Sequence, residues 1–111
     1  MRALDVLADP TRREIIELLA RSDMAASEVA ERFILTRSAV SQHLQILRAS
    51  GLIRMRRVGQ RRIYSLNLAA FDEIESWFEE CRRIWRASHQ AASGEKRAPA
   101  TEGRRTAGAA S

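Results

Sequence analysis

Apolar residues recur at helical spacing along most of the chain, and the period changes once. Leu4, Leu7 and Ala8 form a short helical stripe. Asp9-Pro10 reads as a helix start, with Asp as N-cap and Pro at the first helical position, where its missing N–H costs nothing. Ile15, Ile16, Leu18 and Leu19 give that helix its buried face. Residues 26–33 read as a short helix with Val29, Ala30 and Phe33 inward. Thr36 is a good N-cap for the next helix, whose inward set is Val40, Leu44 and Leu47, and Gly51 closes it. From Leu52 the helical period gives way to two β-prone runs, residues 52–57 and 61–66, joined by Val58-Gly59-Gln60 as a hairpin with its tip at Gly59. Residues 71–90 form a long helix in which Phe71, Ile74, Phe78, Cys81, Trp85 and Ser88 fall at intervals of 3, 4, 3, 4 and 3. That spacing is an a/d seam, widened by Trp77 and Ile84 beside it.

The order of elements predicts a mainly α domain with a small β-hairpin, a winged helix-turn-helix. At 111 residues the chain is one small domain with a tail. Residues 94–111 contain no Leu, Ile, Val, Met or aromatic and cannot bury enough surface to offset chain entropy, so a disordered tail is expected after a folded domain at residues 1–93. A single cysteine, Cys81, leaves no internal disulfide framework and fits a reducing cytoplasm. No apolar run approaches the roughly 20 residues needed to span a bilayer, and an acid at position 5 argues against a signal peptide. Neither a Gly-rich phosphate loop nor a nucleophile–base pairing is legible, so no enzymatic activity and no cofactor are expected.

Charge changes the picture most. The net charge of +5 understates a segregation: between Glu31 and Asp72 lie eight arginines and no acid. Such a stretch calls for a polyanion, and a duplex carries about one negative charge per 1.7 Å of axis. With Val40, Leu44 and Leu47 inward, the outer face of the capped helix presents Ser38, Ser41, Gln42 and Gln45, with Arg37 and Arg48 at its flank. Arg forks onto guanine, Gln onto adenine, and Ser reaches base or phosphate. Residues near the N-terminus of such a helix sit deepest in the major groove. Arg37, Ser38, Ser41 and Gln42 are therefore expected at base edges, and Gln45 and Arg48 at sugar and phosphate, with Thr36 at the helix start. A solvated polar face is the plainer alternative. The hairpin adds Arg56, Arg57, Arg61 and Arg62, with Gln60 at the turn. Four guanidiniums there repel one another unless phosphate or the minor-groove potential offsets the repulsion; protection of an edge strand by charge would account for two of them more readily than four. His43 stands one residue off the inward row and receives no role. The Phe71–Trp85 seam would leave a solitary helix with too much apolar surface, so a homodimer is expected through Phe71, Ile74, Phe78, Cys81 and Trp85.

Three segments carry a resemblance to a known family: Leu7-Ala8-Asp9-Pro10-Thr11-Arg12-Arg13 followed by Ile15, then residues 36–44 (Thr-Arg-Ser-Ala-Val-Ser-Gln-His-Leu), then residues 47–53 (Leu-Arg-Ala-Ser-Gly-Leu-Ile). Together they resemble the ArsR family of bacterial winged-helix repressors over roughly residues 3–90. The resemblance implies a homodimer on double-stranded DNA, bound to an imperfect inverted repeat near a promoter and repressing until an inducer releases it. It implies that residues 36–48 are the recognition helix, that residues 52–66 are the wing, and that the first helix, with Leu4 and Leu7, joins the last in the dimer interface.

Many members of the family sense metals through paired cysteines before the recognition helix, or through Asp and His on the last helix. Here the first region reads Met24-Ala25-Ala26-Ser27-Glu28-Val29, without thiol or imidazole. On the last helix Cys81 and His89 are eight residues apart, about two turns, and cannot share a metal within one straight helix. No metal site is therefore expected, and the glutamates there read as a solvated face pairing with Arg82, Arg83 and Arg86. Cys81 reads as a small buried hydrophobe. The remaining alternatives are a ligand-, metal- or redox-responsive sensor with its site at the dimer interface, and a winged-helix protein-interaction module.

Overall fold

The computed structural model describes residues 2–90, so the expected tail at residues 94–111 lies outside the described residues. In chain order the elements are α1 (Arg2–Val6), α2 (Pro10–Arg21), β1 (Met24–Ala25), α3 (Ala26–Ala30), α4 (Arg37–Ala49), β2 (Ile53–Val58), β3 (Arg61–Leu66) and α5 (Leu68–Gln90). The chain falls into two units, one ending at Ile74 and one beginning at Glu75.

In the first unit the helices start where capping chemistry puts them. The Asp9 carboxylate accepts from the Thr11 backbone N–H at 2.9 Å, and the Thr36 hydroxyl accepts from that of Ala39 at 3.0 Å. Each satisfies one N–H that the first turn leaves without an intrahelical partner. The core is built from Ile15 and Leu19 of α2, Val29 of α3, Val40, Leu44 and Leu47 of α4, then Leu52, Ile53 and Tyr64 of the hairpin. The spacing of 3 and 4 on α4 thus becomes a continuous buried stripe, leaving the opposite face to solvent.

Gly51 ends α4 at φ +88°, a left-handed conformation that costs an L side chain energy. The Asn67 side-chain amide donates to the Gly51 carbonyl at 2.8 Å, and the Asn67 backbone N–H donates to that of Leu52 at 2.9 Å. Asn67, the residue before α5, thereby ties the start of that helix to the end of α4.

Several details depart from the sequence expectation. In α1 the buried residues are Ala3 and Val6, while Leu4 and Leu7 are half-buried and Ala8 is exposed. Helix α3 stops at Ala30, where the chain turns; Phe33, beyond it, is half-buried rather than part of the helix. The sheet has three strands, in the order β1-β3-β2, because Met24 and Ala25 pair antiparallel with Tyr64 and Ile63. Helix α5 starts at Leu68, three residues earlier than expected. Ile74, assigned to the dimer seam, is buried in the core of its own protomer. Phe71 is half-buried against the same core.

In the second unit α5 continues with its large apolar residues in the open. Trp77, Phe78, Ile84 and Trp85 are 45%, 49%, 53% and 60% exposed, values that belong to an uncovered face rather than to a core. Cys81, expected to be buried, is exposed as well. Arg83 pairs with Glu80 and Arg86 with Glu79 along the polar side. Among the described residues no helix is long and apolar enough to cross a membrane.

Candidate nucleic-acid interface

Helix α4 holds its inward residues at 1% exposure or less, which decides which of its residues make up the outer face. Arg37, Ser38, Ser41, Gln42, Gln45 and Arg48 are all exposed there, as is the capping residue Thr36. The first turn of α4 contains no acid, so its free N–H groups and positive dipole end face outward without a competing carboxylate. His43 is different: it is half-buried, turned towards the start of α2.

The hairpin sorts its arginines by face. Residues opposite one another in an antiparallel pair project to the same side, and alternate residues share that side. Ile53, Met55 and Arg57 pair with Leu66, Tyr64 and Arg62, so these six share the face that packs on the core. Arg54, Arg56 and Val58 pair with Ser65, Ile63 and Arg61 and share the other. On that second face, Arg56 meets Asp23 at 3.0 Å and Arg61 meets Glu28 at 3.1 Å. Glu28 also accepts from the Ala25 backbone N–H at 2.7 Å, which braces the start of α3. On the first face Arg57 and Arg62 are directly opposed, exposed, and without an ion pair among the described residues. Gly59, at φ +64°, and Gln60 form the two-residue turn beyond them.

The four wing arginines, read from sequence as one group, therefore divide into two that carboxylates hold and two that stand free. Sequence reasoning missed Asp23 and Glu28, which lie 33 residues from their partners, a separation that no local pattern spans. It also passed over Arg54, exposed on the face of Arg56, and over Ile34 and Leu35 just before the α4 cap, which are 103% and 41% exposed. The signal for those two was present: they fit the buried stripe of neither neighbouring helix.

Among the described residues, no three His, Cys, Asp or Glu side chains are grouped so as to hold a metal ion. Leu4 and Leu7 lie half-buried at the first helix, while Phe78, Cys81 and Trp85 are exposed on the last.

This arrangement coincides with what similarity shows. The family model for bacterial regulatory proteins of the arsR family matches residues 9–55, from the cap of α2 into β2. The chain is similar to the transcriptional repressor SdpR of Bacillus subtilis, with 39% identity over 71 residues covering 64% of this chain and 79% of that protein. Its fold is similar to an ArsR-like transcriptional regulator from Rhodococcus sp. RHA1, with a TM-score of 0.77 and 30% identity over 84% of this chain and 88% of that one. It is also similar to the homodimeric winged helix-turn-helix DNA-binding domain Mb0332 of Mycobacterium bovis, with a TM-score of 0.58 and 28% identity over 75% of this chain and 74% of that one. With the capped helix, the basic hairpin and these likenesses in agreement, the chain belongs to the ArsR family and is a winged helix-turn-helix transcriptional regulator.

Proposed function

We propose that this regulator is a cytoplasmic repressor that binds an inverted-repeat operator as a homodimer, with α4 in the major groove and the hairpin on the flanking backbone or minor groove. The observation that carries the reading is the acid-free outer face of α4, continued by the opposed pair Arg57 and Arg62. Like charges directly opposite on neighbouring strands are destabilising, and a phosphate between them turns that cost into attraction. Arg37, Ser38, Ser41 and Gln42 read base edges; Thr36, Gln45 and Arg48 lie towards sugar and phosphate; Arg57, Arg62 and Gln60 extend the contact outward. Arg56 and Arg61 contribute field rather than direct contact while Asp23 and Glu28 hold them. Repression is supported by the likeness to a protein named as a repressor, and dimerisation by the likeness to a domain described as homodimeric. The residues proposed for self-association are Leu4, Leu7 and Phe71 in the first unit and Phe78, Cys81 and Trp85 in the second. A two-fold dimer places two copies of α4 about one helical turn of DNA apart, which calls for an inverted repeat.

Selection of duplexes from a randomised library by the purified protein tests the reading. Recovery of a two-fold symmetric site is expected. Arg37→Ala and Gln42→Ala should each weaken binding to that site by about 1–3 kcal/mol and change binding to random duplex far less. Equal losses on both duplexes would assign these side chains to phosphate alone.

A further inference from the structure

The start of α2 and the middle of α4 meet at three side chains. Arg12 donates from Nε to the Val6 carbonyl at 2.8 Å, which closes the corner between α1 and α2. Its Nη1 lies 3.3 Å from the Asp9 carboxylate and 3.5 Å from Nδ1 of His43 on α4. The same His43 nitrogen is 3.8 Å from Asp9. All three side chains are mostly sheltered, at 17% exposure for Arg12, 28% for Asp9 and 22% for His43. Arg13, next in the chain, does only the first of these tasks: it donates to the Leu7 and Ala8 carbonyls at 2.7 and 3.2 Å and does not reach α4.

We propose that Arg12, held by Asp9 and the Val6 carbonyl, is a positioning residue that sets the rotation of the recognition helix through His43, and so decides where Gln42 and Arg37 present their donors. The proposal rests on the DNA-reading role of α4. The buried stripe of α4 is made of aliphatic side chains, whose packing is non-directional and tolerates small rotations. A hydrogen-bonding contact from outside that stripe is directional, and it sits one residue from Gln42. Only a guanidinium serves all three partners at once, because its nitrogens form a fixed planar fork. A guanidinium only donates, so a hydrogen bond between Arg12 and His43 needs Nδ1 as its acceptor.

The test compares affinity for the selected duplex with affinity for random duplex. Arg12→Lys keeps the charge beside Asp9 but not the fork, and should lower the ratio by about tenfold, the scale of one charge-assisted hydrogen bond. Arg13→Lys weakens the same corner without touching α4 and should leave the ratio unchanged. His43→Leu should lower the ratio like Arg12→Lys, whereas His43→Asn, whose Oδ1 takes the place of Nδ1, should restore it. The two His43 variants also decide the matter if Arg12→Lys does not fold. Thermal unfolding of each variant reports any purely structural loss, which lowers both affinities together. An unchanged ratio in Arg12→Lys or His43→Leu, or equal ratios for the two His43 variants, overturns the positioning role while the DNA reading stands. A wild-type protein that enriches no sequence removes both.

Discussion

At the scale of single residues, the fold depends on a few positions whose backbone or caps allow little substitution. Gly51 has nothing within 4 Å of where a Cβ would stand, so space does not require glycine; its φ of +88° does. Gly51→Ala is therefore expected to cost about 1–2 kcal/mol in denaturant unfolding, with Gly51→Asn costing less because Asn tolerates the left-handed region better. If alanine were neutral, the turn after α4 would have to relax to negative φ. These positions were also the most legible ones in the sequence. Asp9, Thr36 and Gly51 each announce a helix end through their own chemistry, and each does so in the structure. His43 was not legible: nothing within α4 indicates that its neighbour is Arg12, which stands 31 residues earlier.

At the scale of elements, legibility followed length and locality. Helices α2, α4 and α5 repeat an apolar interval over three or more turns and could be read directly. Strand β1 is two residues long and makes its pairing with residues near position 64, so no period could reveal it. The same non-locality hid the division of the wing. Its two faces should now separate in a salt series. Arg57→Ala and Arg62→Ala should each flatten the log–log salt dependence of DNA binding by about 0.9 for every phosphate left without its guanidinium, counted twice in a dimer. Arg56→Ala and Arg61→Ala should change the slope much less, since Asp23 and Glu28 already face those guanidiniums. Slopes that respond alike to all four substitutions would mean that the carboxylates yield to phosphate on binding.

At the scale of the molecule, the apolar face of α5 dominates. Phe78, Trp85 and their neighbours expose apolar surface that each chain on its own leaves in water, at a cost on the order of 1 kcal/mol per side chain, since each is about half exposed. Phe78→Glu should yield monomers in sedimentation and with them lose binding to a two-fold site, while its first unit stays folded. A mutant that stays dimeric would place the interface elsewhere. The seam was read from sequence as one continuous stripe, yet Ile74 turns inward and Phe71 lies half-buried. A periodic apolar row cannot say which of its turns serve the chain's own core and which serve another surface, because both are satisfied by the same residues.

Strand β1 gives the wing counter-charges of its own. Its ladder to β3 is only two residues long, yet both residues, Met24 and Ala25, are buried, and Met24 belongs to the core. Asp23 precedes that strand and Glu28 lies just after it, so the carboxylates that hold Arg56 and Arg61 are carried to the wing by the strand that pairs with β3. The hairpin therefore carries one pair of guanidiniums with a counter-charge supplied from either side of β1 and one pair, Arg57 and Arg62, with none among the described residues.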